Sequence, residues 1–141
     1  MQLSLDAPSP LTEISRAQGW ISPAEEVQSL EVAGAGNMNR VLRGHLNTSR
    51  TLIFKQSLPY VARYPDIPAP IERLDVEALF YKTIYQDAIL RASTPTVLGY
   101  DKSNHLLCLE DFGAGQDYSF LYTLDDQTPA DKFLPALLNW L

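Results

Sequence analysis

The sequence is short of the residues that build disulfide frameworks and zinc sites. It contains one cysteine, Cys108, and two histidines, His45 and His105. A single cysteine excludes an internal disulfide, and the lack of a Cys/His cluster in the sequence argues against a structural zinc site. Cys108 lies in the apolar run 106–109, which favours a buried thiol that behaves as a small hydrophobic side chain.

Basic residues and long hydrophobic runs are also scarce. The 141 residues include 11 Lys and Arg against 17 Asp and Glu, so the net charge is -6 at pH 7. No nucleic-acid partner is expected, because binding to a phosphate backbone needs a basic stripe. No apolar run approaches the ~20 residues that span a bilayer, and the N-terminus does not have the pattern of a signal peptide. We therefore expect no membrane partner and a cytoplasmic location.

The order of the predicted elements indicates an α+β fold. The composition, 45% hydrophobic and 20% charged, is typical of a folded globular domain. A proline-rich and irregular linker is predicted over 57–70, and one long helix over about 70–91. Period-two alternation and apolar runs predict strands at 28–33, 39–46, 51–56, 96–100 and 106–109. This order predicts a five-stranded antiparallel sheet with one long helix after the third strand.

The chain divides into three predicted parts. Residues 1–29 form an N-terminal helical segment, with a helix over 10–17. Residues 30–110 form the lobe that contains the sheet and the long helix. Residues 111–141 form a hinge and the start of a second lobe. The sequence ends in an apolar stripe with nothing downstream to cover it, so we expect a missing C-terminal half. The stripe consists of Leu134, Leu137, Leu138 and Leu141.

Two glycines separated by one residue lie between the first two predicted strands. Gly34, Gly36, Asn39 and Val41 have the spacing of the nucleotide-covering loop G-x-G-x-x-G-x-V, with asparagine at the third glycine. Glycines let backbone N–H groups approach phosphate oxygens, while asparagine tolerates left-handed backbone and can add an amide donor. The same pattern also fits an ordinary hairpin turn, and both interpretations stay open at this point.

Lys55 follows three apolar residues in the third predicted strand. If Leu52 and Phe54 face the helix, period two places Lys55 on the ligand side of the sheet. Glu77 falls in the apolar stripe of the long helix, where an unpaired buried carboxylate would be costly. We predict an ion pair between Lys55 and Glu77. The alternatives are an exposed lysine and a local pair between Glu77 and Arg73.

The last predicted strand runs directly into an acidic segment that contains a glycine. This segment, Glu110–Gly113, suits a hinge between two lobes. In such a hinge, backbone C=O and N–H groups can bind the edge of an adenine. An ordinary loop after a strand is the alternative.

Together these segments resemble the N-terminal lobe of small-molecule kinases of the aminoglycoside phosphotransferase and choline kinase-like family. The similarity is carried by the glycine turn, by Lys55 and Glu77, and by the segment 109–113. Within the family, the methylthioribose kinases have a Gly-Asn-hydrophobic-Asn loop, here residues 36–39. They also have a strand that ends in Lys-Gln and is followed by Leu-Pro-Tyr-Val, here within residues 55–61.

The resemblance implies a protein kinase-like N-terminal lobe that binds ATP. The γ-phosphate would pass to a hydroxyl of a small substrate, with a methylthioribose-like sugar as the first candidate. The family's catalytic loop and its Mg²⁺ ligands would lie beyond Leu141, so we expect no catalytic residue or metal ligand here and no phosphoryl transfer by this chain alone. The implied ATP-binding residues are Gly34, Gly36, Asn37, Asn39, Val41, Lys55, Glu77, Glu110 and Phe112, the last two through their backbones at the adenine.

Two other functions stay open. The chain could be part of another member of the family, an aminoglycoside kinase or a choline-type kinase. It could instead be a non-catalytic α+β module that binds a nucleotide or a partner, with a glycine turn and a lysine that are purely structural.

Overall fold

The computed structural model describes residues 1–34, 36–113 and 135. The helices are α1 (Ser9–Ala17), α2 (Arg73–Ile84) and α3 (Ala88–Ala92). The strands are β1 (Val27–Val32), β2 (Arg40–Leu46), β3 (Thr51–Gln56), β4 (Tyr60–Val61), β5 (Tyr64–Pro68), β6 (Val97–Asp101) and β7 (Leu106–Glu110). Apart from Pro135, the part of the predicted second lobe that follows Gly113 lies outside the described residues.

Five of the strands form one antiparallel sheet in the order β1-β2-β3-β7-β6. The predicted α+β fold with a five-stranded antiparallel sheet is therefore confirmed. The last of the described strands, β7, lies between β3 and β6, so β3 is central in the sheet. Its residue Lys55 is aligned with Val41 of β2 on one side and with Leu107 of β7 on the other.

The first face of the sheet packs against the N-terminal part of the chain. Leu52 and Phe54 of β3 are buried in one core cluster with Leu11 of α1. The period-two pattern of β3 explains this, because its even-numbered residues all point to the same face. The other buried members of the cluster are Leu3, Trp20, Ile21, Val27, Leu42, Leu46, Leu106 and Cys108. The predicted burial of Cys108 is confirmed.

Helix α2 covers the opposite face of the sheet. Leu74 of α2 is buried against Leu107 and Leu109 of β7. This arrangement corrects one expectation, because Leu52 and Phe54 do not face the long helix but the α1 side. Lys55 is on the same face as α2, and only this arrangement allows its side chain to reach the helix.

The linker predicted to be irregular contains a small hairpin. Strands β4 and β5 pair antiparallel, with Tyr60 opposite Pro68 and Val61 opposite Tyr64. The prediction of an irregular linker was wrong because it rested on the prolines. Proline disfavours the interior of a sheet but is tolerated in an exposed strand at an edge. All residues of β5 are exposed. The two residues at the turn, Ala62 and Arg63, also lack the glycine or asparagine that would signal a tight turn.

The helix predicted over 70–91 is interrupted. It begins at Arg73 and ends at Ile84, and a second short helix, α3, follows from Ala88. Asp87 causes the break, because its backbone is extended and its carboxylate accepts hydrogen bonds from the N–H groups of Ile89 and Leu90 at 2.8 and 3.0 Å. This is N-capping, which begins a new helix where the pattern alone predicted a continuous one.

Trp20 crosses β6 at a glycine. Its buried indole lies so close to Gly99 that a Cβ added there would clash with the indole nitrogen. A similar approach occurs in β2, where a Cβ on Gly44 would lie 2.7 Å from the ring of Phe54. The two glycines therefore allow two large aromatic side chains to pack directly on the sheet backbone.

We predict that Gly99→Ala lowers the free energy of unfolding by about 1–3 kcal/mol, because the new methyl group overpacks the core against Trp20. Urea denaturation of the whole chain measures the change. Gly36→Ala is the matched control, since a Cβ there meets nothing within 4 Å and the stability should stay nearly constant. Equal stability of Gly99→Ala and the wild type would contradict the close packing of Trp20.

Candidate functional site

Lys55 and Glu77 form the ion pair that the sequence predicts. The ammonium of Lys55 donates a hydrogen bond of 2.7 Å to Oε1 of Glu77. About a quarter of each side chain is exposed, 25% for Lys55 and 24% for Glu77. The pair therefore lies between solvent and the apolar cluster under α2. It joins the central strand to the helix that covers it.

The apolar surroundings of Glu77 are visible in its neighbour Tyr81. Burial raises the pKa of Tyr81, and the charge of Glu77 raises it further. A carboxylate in this place without a cation would be costly. Lys55 supplies the positive charge, so the pair attaches α2 to the sheet as well as being a candidate functional feature.

Arg73, the alternative partner of Glu77, points elsewhere. Its Nε donates to Oδ1 of Asn39 at 2.8 Å, and one of its terminal nitrogens donates to the carbonyl of Met38 at 2.8 Å. The local pair that the sequence also allowed is therefore not formed. Arg73 contacts the glycine loop, which we define as residues 34–39.

Gly34 is the residue of the glycine loop that requires glycine for its backbone. Its φ is +77°, in the left-handed region that other residues adopt only with strain. At Gly36 an added Cβ would meet nothing within 4 Å, so the described part of the loop is open on that side. Ala35 between them lies outside the described residues. The loop closes where the N–H of Ala33 donates to the carbonyl of Val41 at 3.1 Å.

The hairpin β4–β5 holds the glycine loop from one side. The backbone N–H groups of Ala62 and Arg63 donate to the carbonyls of Met38 and Asn37 at 3.2 and 3.1 Å. The guanidinium of Arg63 also donates to Oδ1 of Asn37 at 3.2 Å. Sequence reasoning missed this contact, because it predicted no strands in the linker. The aromatic and β-branched residues on both sides of Ala62 and Arg63 were the available signal.

The predicted site residues fall into two groups. Val41, Lys55 and Glu77 come together, since Val41 lies directly opposite Lys55 in the sheet. The side chains of Asn37 and Asn39 bind Arg63 and Arg73 through their amide oxygens. These asparagines therefore shape the loop, and their amide nitrogens are the atoms that can donate to another group.

A cleft of about 420 Å³ lies beside the glycine loop. Four predicted site residues line it, Gly34, Gly36, Asn39 and Val41, together with Leu3 and Leu42. Leu3 and Leu42 belong to the core on the α1 face. Neither Lys55 nor Glu77 is among the lining residues, so the cleft does not include the ion pair.

The segment after β7 is fixed by Arg43. Its guanidinium donates two hydrogen bonds to the carboxylate of Asp111, at 2.5 and 3.1 Å, and one to the carbonyl of Gly113 at 2.9 Å. The side chain of Asp111 is only 2% exposed, whereas Glu31, the other acidic partner of Arg43, is half exposed. Arg43 therefore connects strand β2 to the predicted hinge. Whether residues 111–113 form a hinge stays a prediction.

Glu110 and Phe112 differ in what their groups can offer an adenine. The backbone N–H of Glu110 donates to the carbonyl of Thr96 at 2.8 Å, and its carboxylate accepts from the N–H of Thr96 at 3.1 Å. The N–H of Glu110 is therefore used inside the sheet. Phe112 is an exposed side chain in the following segment. The adenine-binding role of both backbones stays a prediction.

No family model matches the chain, and no curated protein does. Over residues 1–34 and 36–113, no helix is long and apolar enough to cross a membrane. In the same ranges no group of three or more His, Cys, Asp or Glu side chains is placed to hold a metal ion.

We predict that Asp111→Asn lowers the free energy of unfolding by about 1.5–3 kcal/mol at pH 7, because Arg43 loses its charged and buried acceptor and the single amide oxygen of asparagine can accept only one of the two hydrogen bonds. Denaturation at several pH values measures this. Burial raises the pKa of Asp111, but the hydrogen bonds from Arg43 and from the N–H of Gly113 lower it more, so it lies below its ordinary value.

The sign of the pH dependence follows from this lowered pKa. The contribution of Asp111 is complete above its unfolded pKa of about 3.9 and is lost as the pH falls through the lower folded value. The difference between wild type and Asp111→Asn should therefore shrink below about pH 4. Glu31→Gln is the matched control and should have a smaller effect, since the side chain of Glu31 is half exposed. An Asp111→Asn effect that does not change with pH would contradict the ion pair.

Proposed function

We propose that the chain is the ATP-binding lobe of a small-molecule kinase of the aminoglycoside phosphotransferase and choline kinase-like family. The γ-phosphate of ATP would pass to a hydroxyl of a small substrate, with a methylthioribose-like sugar as the first candidate. The observation that carries the proposal is the 2.7 Å pair of Lys55 and Glu77 beside Val41, on the sheet that forms the glycine loop.

Lys55 is the residue that would bind the phosphates. A lysine held by a helix carboxylate is fixed in position and can place its ammonium against the α- and β-phosphates of a nucleotide. The neighbouring glycine loop supplies backbone N–H groups that can approach phosphate oxygens, because Gly34 and Gly36 have no side chain in the way. Phosphoryl transfer depends mainly on such positioning and on electrostatic stabilisation.

The adenine would lie between the sheet and the segment after β7. Val41 is aligned with Lys55 and offers an apolar surface on the strand next to β3. The segment 111–113 is fixed by Arg43, which preorganises the backbone that would bind the adenine edge. Preorganised groups bind a ligand with a smaller loss of conformational entropy.

A non-catalytic interaction module is the second candidate. The observation that favours it is the outer surface of α2, where Val76, Leu79 and Phe80 are each more than half exposed. Adjacent exposed apolar side chains often mark contacts with another protein or domain. In that case the ion pair would serve only to attach α2 to the sheet. Nucleotide affinity distinguishes the two candidates.

We predict that Lys55→Ala weakens the binding of a non-hydrolysable ATP analogue at least tenfold, a loss of about 1.4 kcal/mol of binding free energy. The reason is the loss of the cation that contacts the phosphates. Isothermal titration calorimetry measures the affinity. Lys102→Ala is the matched control, because Lys102 also pairs with a carboxylate, that of Asp75 at 3.6 Å, but its side chain is 79% exposed. Equal affinity of Lys55→Ala and wild type, or no binding by the wild type, would overturn the kinase proposal.

We predict that Glu77→Gln weakens the binding of the same ATP analogue several-fold, which is a smaller loss of affinity than Lys55→Ala causes. The amide keeps the shape of the side chain but no longer holds the ammonium of Lys55 by charge. Because the pair is partly exposed, the free energy of unfolding should change by less than about 1 kcal/mol. Calorimetry and urea denaturation of the same variant separate the two effects. Tighter binding by Glu77→Gln would contradict the positioning role of Glu77.

A further inference from the structure

The guanidinium of Arg73 joins four separate parts of the described chain. Arg73 is the first residue of α2, and its three nitrogens make five hydrogen bonds. Two go to the glycine loop, one to Leu58 in the linker before β4, one to Tyr60 in β4 and one to Pro70 just before α2. The acceptors are Oδ1 of Asn39 at 2.8 Å and the carbonyls of Met38 at 2.8 Å, Leu58 at 2.7 Å, Tyr60 at 3.3 Å and Pro70 at 2.6 Å.

This location is electrostatically unfavourable for a cation. The N-terminal end of a helix carries a partial positive charge, which repels an arginine in the first turn. Burial also lowers the pKa of Arg73 from its ordinary value. The five acceptors are neutral oxygens. The position of Arg73 is therefore explained by the fork-shaped set of donors that a guanidinium offers to several carbonyls.

Arg73 and Glu77 are four residues apart and lie on consecutive turns of α2. Glu77 binds the central strand through Lys55, while Arg73 binds the glycine loop through Met38 and Asn39. One short piece of helix therefore holds both the phosphate-binding lysine and the loop above it. A displacement of α2 would disturb the two contacts together.

The two halves of the glycine loop are held differently. Residues 37–39 are bound by Arg73 from α2 and by Ala62 and Arg63 from the hairpin. At Gly34 and Gly36, added Cβ atoms would meet nothing within 4 Å. At these two glycines the backbone is therefore open to an approaching phosphate, while the contacts of residues 37–39 hold the rest of the described loop in place.

We propose that Arg73 is a positioning residue that sets the distance of the glycine loop from Lys55, and thereby the affinity for the phosphates of the nucleotide. The inference rests on the proposed function. All five hydrogen bonds of its guanidinium go to oxygens of the protein itself. It acts through the carbonyl of Met38 and the amide of Asn39.

The test compares Arg73→Lys with Arg91→Lys in the whole chain. Lysine keeps the charge but has three donors on a flexible stem, so it cannot hold the five acceptors in one geometry. Arg91 is the matched control, because it is exposed on α3. Among the described residues, its guanidinium donates a hydrogen bond only to the carbonyl of Tyr85. Two ligands are titrated by calorimetry, a non-hydrolysable ATP analogue and adenosine, which has no phosphate. Hydrogen exchange of the amides in residues 36–39 is measured in parallel.

Arg73→Lys should bind the ATP analogue about tenfold more weakly, because two hydrogen bonds from a charged donor to the loop are weakened. Its affinity for adenosine should stay within about twofold of the wild-type value, because adenosine has no phosphate for the loop to bind. The amides of residues 36–39 should exchange faster in Arg73→Lys and not in Arg91→Lys.

Three results would overturn the inference. If Arg73→Lys loses the same factor of affinity for the ATP analogue and for adenosine, Arg73 only supports the fold. Unchanged affinity for the ATP analogue, in a protein whose Lys55→Ala variant loses it, would overturn the role of Arg73 and leave the kinase proposal standing. Absence of nucleotide binding by the wild type would overturn the kinase proposal, and the inference with it.

Discussion

The rest of the described fold depends on the packing of β3, which is covered on both faces and paired on both edges. Phe54 is fully buried against the α1 side, and the next residue, Lys55, points to the α2 side. A register shift of one residue would move the lysine into the apolar cluster and Phe54 out of it. That exchange is too costly to be populated. The alternation of β3 therefore aligns Val41 and Leu107 with Lys55, and so determines the face of the candidate site.

Two arginines connect the sheet and α2 to the irregular segments beside them. Arg43 reaches from β2 to Asp111 and Gly113, and Arg73 reaches from α2 to the glycine loop. Backbone outside helices and sheets has carbonyl groups without ladder partners, and a guanidinium can satisfy several of them at once. Both segments that would contact a nucleotide are therefore held by side chains that are distant in the sequence.

The accuracy of the sequence-based predictions follows the range of the interactions involved. The five main strands were predicted, because burial of one or both faces leaves a direct pattern in consecutive residues. The pair of Lys55 and Glu77 was predicted from a carboxylate in an apolar stripe. The hairpin β4–β5 was missed because its prolines lie in an exposed edge strand, where their usual effect is weak. The break at Asp87 had a local signal, an N-cap residue before an apolar run, which the continuous helical pattern obscured.

The sequence by itself determined the alternation of β3, the presence of a glycine turn between the first two strands, and the presence of a carboxylate in the apolar stripe of α2. These are local properties, set by backbone sterics and by the cost of burying a charge. Only the tertiary structure decided that α1 covers one face and α2 the other, that Arg73 binds the glycine loop instead of Glu77, and that Arg43 fixes the segment after β7. The physical reason is that each of these contacts joins residues far apart in the chain, so no pattern of neighbouring residues records them.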